Sequence, residues 1–419
     1  MKRVVIVSAK RTPFGRFRGA LAGYSPVDLA VVAGNAVLKR LDRSLVDQVI
    51  LGNVLSGGHG MNIARQIAVT LQLPIQSPAW TVNMMCGSGM HSALLAANAI
   101  RCGEARAILA GGTESMSQSA LLVARPSKGQ SPDLTTAVDS MQRDGLVDSF
   151  SNRHMGEQAE ELAAAFGISR AEQDAFAERS QQLFANAQHS GVFEDEVVPA
   201  GNLAVDQHPR PEMTRAALAQ LPPAFQNGAA VTDGCSARMG PGDTGRSVGT
   251  VTAGNSSGIN DGAGILLMAE REFARENGWP VLAEWIDGIV VGCDPARMGL
   301  GPVSAIRSLL KRTNREWTDI DTLEINEAFA AQNLACLRDL KLSLDLSAVQ
   351  AQVRTSGGHL TGFNGEGGAI AIGHPLAASG ARLLTHLAWK IAHGRSRCAI
   401  GSLCIGGGMG IAALLAAVK

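Results

Sequence analysis

The chain has 419 residues, with 48 glycines, only 16 prolines, 46% apolar residues and 37 basic against 37 acidic side chains. That length predicts two or three domains with a large core, and the apolar fraction and balanced charge exclude a disordered chain. Glycine without a three-residue period excludes a collagen-like one, and zero formal charge argues against nucleic acid or an anionic membrane as the main partner.

Residues 4–9 read as a first strand, because the apolar run after Met1-Lys2-Arg3 is too short for a signal peptide. Residues 26–39 follow as an amphipathic helix with Leu29, Val32, Ala36 and Val37 on its apolar side. Strands are predicted at 48–54, 79–84 and 105–110, with a helix over 88–101 ended by Gly103. A polar, loop-rich stretch, 117–259, holds two helices. One covers 156–166; the other is capped by Ser169, with Glu172 completing a capping box, and runs to Gln188. The stretches 206–214 and 229–249 read as irregular. Beyond them come a helix over 302–311, a strand at 321–325, a helix over 379–392 ended by Gly394, and a strand at 397–403. Alternating strands and helices predict an α/β fold. No stretch of 18 apolar residues free of charges and glycine clusters occurs, so no membrane span is expected.

The second set repeats the first. Ser88-Gly89, Ile100, Gly103 and Arg106 are matched by Ser379-Gly380, Ile391, Gly394 and Arg397 at one constant offset of 291. Two similar α/β halves are therefore expected, with the loop-rich stretch inserted between them.

The seven cysteines are Cys86, Cys102, Cys235, Cys293, Cys336, Cys398 and Cys404, and no C-x-x-C pair occurs. Neither zinc nor a dithiol motif is indicated, and free thiols in a reducing cytoplasm are the natural reading. Cys86, in Asn83-Met84-Met85-Cys86-Gly87-Ser88-Gly89, falls where a strand ends and a helix begins. There the helix N-terminus favours thiolate; a buried structural cysteine is the equal alternative. His374, in Ile372-Gly373-His374-Pro375, is expected after a glycine-bounded strand, in the second half's equivalent of that loop. Two equivalent loops facing one another would pair a thiol with an imidazole. In Cys404-Ile405-Gly406-Gly407-Gly408 the glycines expose N–H groups suited to an oxyanion, and Asn326-Glu327-Ala328-Phe329 offers an amide at a strand end. Cys102, Cys293, Cys336 and Cys398 read as core thiols, and His154 and His208 as candidates to meet a polar ligand. The G-x-G-x-x-G match at 240–245 has no preceding strand or following helix, so dinucleotide binding is rejected.

Taken together, C-G-S-G at Cys86, N-E-A-F at Asn326, G-H-P at His374 and C-x-G-G-G at Cys404 resemble the thiolase family of acyl-CoA C-acetyltransferases. The similarity includes Val7 to Pro13, Gly111 to Met116, Val251 to Gly258 and Cys293 to Ala296. The resemblance implies a duplicated, layered αβαβα fold. One half would be 1–116 with about 260–274, the CoA-binding loop domain 117–259, and the other half 275–419. It implies reversible thiolysis of 3-ketoacyl-CoA, or Claisen condensation of acetyl-CoA, through an acyl-cysteine. Cys86 would be the nucleophile, His374 its activator and Cys404 the proton shuttle. Oxyanions would meet His374 with a water held by Asn326, and the N–H groups of Cys86 and Gly406. The implied CoA contacts are Leu146, His154, Met155, Arg210, Ala224, Phe225, Ala253 and Ser257, with Ala328 and Phe329 near the pantetheine end. No tightly bound cofactor is implied, CoA and acyl-CoA being substrates. A homodimer or homotetramer is implied, with association with other β-oxidation enzymes as a further expectation. A β-ketoacyl synthase-type enzyme and a non-catalytic acyl-CoA-binding paralogue are the alternatives.

Several positions depart from the family pattern. Segments 226–250 and 341–363 are longer, Ala377 replaces a usual glycine and Ala217 a CoA-contacting serine. Asn364-Gly365-Glu366-Gly367-Gly368 replaces N-x-N-G-G, and Glu366 is expected to shift the pKa of His374.

Overall fold

A computed structural model describes residues 2–226, 229–230, 249–347, 349 and 351–418. The elements that position the site are, in chain order, β1 (Val4–Arg11), α1 (Pro26–Val37), β2 (Gln48–Gly52), α2 (Ile63–Thr70), β3 (Ala79–Val82), α3 (Ser88–Cys102) and β4 (Ala107–Ser115). Then come α4 (Met155–Ala165), α5 (Arg170–His189), β5 (Asn260–Glu270), β6 (Ala283–Gly292), α6 (Gly301–Thr313), β7 (Thr322–Ile325) and α7 (Ala330–Asp339). The last are β8 (Gln352–Thr355), β9 (Leu360–Phe363), α8 (Ala369–Ile372), α9 (Leu376–Ala392), β10 (Cys398–Ile405) and β11 (Met409–Ala416).

The main strand path runs β8-β9-β7-β10-β11-β6-β1-β5-β4-β2-β3. Inside the β8 edge, where the short strand Leu342–Ser343 also pairs, it holds two five-strand runs in mirrored order. From its outer edge inward, the first half is β3-β2-β4-β5-β1: two parallel pairings, then two antiparallel ones. The second half, β9-β7-β10-β11-β6, repeats those pairings in the same order. The halves join where β1 meets β6 over three residue pairs. The duplication suggested by the 291-residue offset is thus visible in the strand order.

Apolar side chains alternate between two cores along each inner strand. Val4 and Ile6 of β1 face a central core, and Val5 and Val7 an outer one. Ile411, Ala413 and Leu415 of β11 face the same central core, and Ala412 and Leu414 the opposite outer one. Strands covered on both faces read as unbroken apolar runs. The central core is filled by α3 and α9, the outer cores by α1 with α2 and by α6 with α7.

The two central helices touch through a reciprocal glycine contact. A Cβ on Gly89 would lie 2.3 Å from the Ala377 carbonyl and 3.0 Å from Ala381 N, and one on Gly380 would lie 2.6 Å from Met90 N. Residues 89 and 380 are equivalent under the repeat. The duplicated glycine is what lets α3 and α9 approach backbone to backbone, and so sets how closely the loops at their N-termini converge.

Candidate active site

Cys86 lies in the turn between β3 and α3. Met85 before it has φ +48°, a region that side chains other than glycine, Asn and Asp seldom enter. Ser88 holds this turn: Met84 N–H donates to Ser88 Oγ at 2.8 Å, and Ser88 donates to the Met85 carbonyl at 2.6 Å. The sulfur is buried. Burial pushes the thiol up to about 12, and Glu114 adds to the push, while the N–H groups of Cys86 itself and of Gly406 pull the other way. The helix N-terminus therefore does not yield a resting thiolate as the sequence suggested, because desolvation of the charged form outweighs it.

His374 sits at the equivalent place in the second half, just ahead of α9. The segment before it is a single helical turn, α8, rather than the expected strand. Its alternating Ala-Ile-Ala-Ile pattern mimics a strand, but Ile372 N–H and Gly373 N–H close back onto Gly368 and Ala369. His374 Nδ1 lies 2.5 Å from Ser379 Oγ, and Ser379 donates to the Pro375 carbonyl at 3.0 Å. Ser379 must then accept from Nδ1–H, which leaves Nε2 unprotonated, an acceptor that the Asn326 amide faces. Asn326 Nδ2 lies 3.5 Å from that atom. Burial holds His374 down to about 4, with Arg382 acting in the same direction, so the imidazole is neutral and basic at pH 7.

Ser379 is the 291-residue equivalent of Ser88, so each half buckles its own loop with the same serine. The repeat identified both positions but did not reveal this role.

Asn326 follows β7. Asn333 Nδ2 holds its carbonyl at 3.1 Å, and its own Oδ1 is buried without a partner among the described residues. Such an oxygen calls for a polar atom. Cys404, one residue from the end of β10, is buried too. Burial raises its thiol well above the usual range, and charge on Cys86 raises it further. Met155, Met298 and Ala328 pack with it, Met85 and Phe329 at the edge. A Cβ on Gly406 would fall 2.3 Å from Met155 Cε, so only glycine brings that N–H to the Cys86 sulfur without displacing Met155.

Glu114, quoted in the sequence only as part of a motif, ties the two loops together. It accepts from Leu55 N–H at 3.0 Å, Val54 N–H at 3.2 Å and, across the halves, Ala377 N–H at 3.0 Å. Burial raises it to about 7.

The residues expected to contact CoA fall into several local groups. Leu146 packs beside the cluster holding Cys86 and Leu376. The His154 and Phe225 rings lie 4.8 Å apart, and Ala224 N–H donates to the Val251 carbonyl at 2.8 Å. Ser257 N–H donates to the Ala328 carbonyl at 2.9 Å, which brings the Ala253–Ser257 turn against Ala328 and Phe329. Arg210 is anchored through its own N–H to Gln181 Oε1 at 2.8 Å. His208 is packed against Gly258 and kept neutral, down to about 4, by burial with Arg210 and Arg16 nearby.

Three expectations need further correction. Glu366 turns away from His374 and pairs with Lys390 and His386. Cys102 is exposed at the end of α3, and Cys293 is half-buried, with its N–H on the Gly408 carbonyl at 2.8 Å; Cys336 and Cys398 are core thiols as read. Cys235 and the glycine-rich run at 240–245 lie outside the described residues.

Two family models match the sequence: "Thiolase, N-terminal domain" over residues 4–242 and "Thiolase, C-terminal domain" over 279–417. An acetyl-CoA acetyltransferase of Pseudomonas aeruginosa is 41% identical, covering 99% of this chain and 100% of its own. The crystal structure of the Bacillus anthracis acetyl-CoA acetyltransferase superposes with a TM-score of 0.87 at 35% identity, covering 100% of this chain and 99% of its own. That of human mitochondrial 3-ketoacyl-CoA thiolase in complex with CoA gives 0.86 at 37%, covering 100% and 98%.

Proposed function

The chain belongs to the thiolase family and is an acyl-CoA C-acyltransferase, and from that premise we propose how its own residues divide the work. The carrying observation is the Gly406 N–H beside the Cys86 sulfur, with the buried Cys404 thiol within reach of its charge and the neutral His374 imidazole just ahead of Leu376 and Ala377, which pack on Cys86.

In the thiolysis direction His374 Nε2 takes the Cys86 proton as Sγ attacks the 3-keto carbon. The N–H groups of Cys86 and Gly406 receive the oxyanion. The C2–C3 bond breaks; the electron pair passes to the acetyl-CoA enolate, and His374, now protonated, donates to the enolate oxygen together with a polar atom held by Asn326. Cys404 protonates the enolate carbon and acetyl-CoA leaves. The Cys404 thiolate then takes the proton of an incoming CoA thiol, CoA attacks the acyl-Cys86 thioester, and Cys86 leaves with the proton on His374. Condensation is the same path reversed.

We place the CoA arm along Leu146, His154, Met155, Arg210, Ala224, Phe225, Ala253, Ser257, Ala328 and Phe329, mostly in the inserted region 117–259. Arg210 supplies a cation for phosphate, and the aromatic and methionine surfaces an apolar track for pantetheine. CoA and acyl-CoA come and go as substrates, and no tightly bound cofactor enters these steps. We further propose a dimer or tetramer working in the cytoplasm and alongside other enzymes of fatty-acid oxidation. Exposed Met61, Val69 and Ile75 beside β3, an edge strand among the described residues, support self-association. Neither the condensing-enzyme nor the non-catalytic alternative is favoured beside relatives of these names.

The test is thiolysis of 3-ketoacyl-CoA esters of increasing chain length by the wild type and Cys86→Ala, with mass spectrometry of the trapped acyl-enzyme. The expected result is turnover with one acyl group on Cys86 and a loss of at least about a thousandfold in the variant. Full turnover by Cys86→Ala overturns the assignment.

A further inference from the structure

Along α9 the structure holds a buried chain of alternating charges. Arg11 of β1 donates to Glu196 Oε1 at 2.9 Å and to both oxygens of Asp206 at 2.7 and 2.9 Å. Glu196 Oε2 meets His386 Nδ1 at 2.9 Å, and His386 Nε2 meets Glu366 Oε2 at 3.3 Å. Glu366 is closed by Lys390 Nζ at 2.6 and 2.8 Å, with Arg395 at 3.8 Å. Arg382 and Glu324 complete the surroundings, 4.0 Å apart, and the Phe193 ring lies 5.8 Å from the imidazole.

Both ring nitrogens of His386 face a carboxylate oxygen. A carboxylate only accepts, so both nitrogens must carry protons, and His386 is an imidazolium. Glu366 is also where this chain departs from the N-x-N-G-G pattern. Its carboxylate closes a 20-residue loop, from 366 to 386, that contains α8, His374, Ser379 and the first half of α9.

We propose that Glu366 is a positioning residue for His374: its ion pairs with His386 and Lys390 staple the loop that delivers the catalytic imidazole to the middle of the helix that follows it. Gly367 and Gly373, on either side of α8, have φ of +76° and +99°, and glycine hinges of this kind leave backbone freedom that side-chain ties remove. Ser180, Glu327 and Asn260 accept from the N–H groups of Gly368, Ile370 and His374, and Glu366 adds the tie that reaches across to the middle of α9. A loosened loop moves His374 away from Cys86, and an error of about 1 Å in such geometry costs about a hundredfold in rate. Glu366 does this without touching His374. That separates the proposal from a direct electrostatic effect.

The staple depends on the His386 proton. Burial lowers the imidazole pKa, but Glu196 and Glu366 outweigh it and raise it to about 9. Below that pH the staple is closed. Above it His386 keeps one proton and one of the two carboxylates loses its donor, so the staple is weakened to the Glu366–Lys390 pair. The groups facing the imidazole come from every element around it: Glu196 after α5, Glu366 before α8, Arg11 from β1, Glu324 from β7, and Arg382 and Lys390 from α9.

The proposal rests on the thiolase reading of His374, and the experiment separates the two. Thiolysis of acetoacetyl-CoA is followed from pH 6 to 10 in the wild type, Glu366→Gln, His386→Gln and the double variant, well below each melting temperature. In Glu366→Gln we expect kcat about tenfold lower at pH 7.5, KM for CoA within about twofold, and the alkaline limb about one unit lower, with the acid limb unmoved. The losses in the double variant should be less than additive, since both changes weaken the same staple. His386→Gln leaves Glu366 on Lys390 and serves where Glu366→Gln folds poorly. Wild-type kcat and an unmoved alkaline limb in folded Glu366→Gln and His386→Gln overturn the staple. A shifted acid limb instead assigns Glu366 the direct effect on His374 and overturns it too. A wild type without thiolysis of any 3-ketoacyl-CoA overturns the functional reading beneath it.

Discussion

At the scale of single residues the site is two buried acids and one buried base, all at rest uncharged. Burial raises Cys86 to about 12 and lowers His374 to about 4, so a standing thiolate–imidazolium pair is strongly disfavoured. Proton transfer must accompany attack on the thioester, when the Cys86 and Gly406 N–H groups take up charge. The free protein should therefore react slowly with iodoacetamide. The rate of Cys86 alkylation, read by mass spectrometry, should climb about tenfold per pH unit from 6 to 9 without levelling. A plateau near pH 7 would show a preformed ion pair and contradict this picture. His374→Gln should leave that slope in place while abolishing turnover, because the imidazole acts in the transition state and not on the resting thiol.

At the scale of elements, the approach of α3 to α9 governs whether these residues meet. An added methyl at Gly89 has backbone on the far side, 2.3 Å away at the Ala377 carbonyl, and backbone cannot swing aside as a side chain can. Gly89→Ala and its repeat mate Gly380→Ala should each cost about 1–3 kcal/mol in urea unfolding, and both should lower kcat, since the loops of both halves ride on this contact. A variant that loses neither stability nor rate would contradict the close-approach argument. The same glycines show what was legible in the sequence. Strand-helix alternation and the constant offset gave the duplicated α/β plan, and the Ser169 capping box closes as read. The motif cysteines, His374 and Asn326 were found because each falls at the end of a strand or the start of a helix. The turn α8 reads as a strand in the sequence because four alternating residues carry too little period to separate helix from strand. The direction of Glu366 is not legible in the sequence, because three residues of distance from α8 say nothing about which way a side chain turns. The partners that settle its direction, His386 and Lys390, lie 20 and 24 residues on. Ser379 and Glu114 escaped for a related reason: their roles are hydrogen bonds made after folding, one within a loop and one across the halves.

For the whole molecule, His386 and the buried thiols push stability one way above neutrality, and Arg179, lowered to about 10 by burial, opposes them only beyond that pH. His386 is raised to about 9, so its contribution is complete below the unfolded value near 6.5 and disappears as pH rises through 9. Glu114, raised to about 7, and the thiols of Cys86 and Cys336, raised to about 12, also keep protons in the folded chain that the unfolded chain has released. Where the native state binds more protons than the unfolded state, stability falls with rising pH. Glu196 has the opposite sign: it is held down to about 2, so its contribution is present above about 4.5 and is lost only in acid. The melting temperature should therefore decline from about pH 6.5 upward, first through His386 and then, beyond about pH 9, through the thiols. His386→Gln should remove the first part of that decline and leave the second, which differential scanning calorimetry between pH 6 and 10 can resolve. A melting temperature that rises from pH 7 to 9 would contradict the balance of signs. The chemistry pulls the other way, since a thiol held near 12 attacks faster as pH rises. A duplicated scaffold that buries its nucleophile between two halves thus gains reactivity in alkali while its own charge chain loosens, and the working pH is set where those two trends cross.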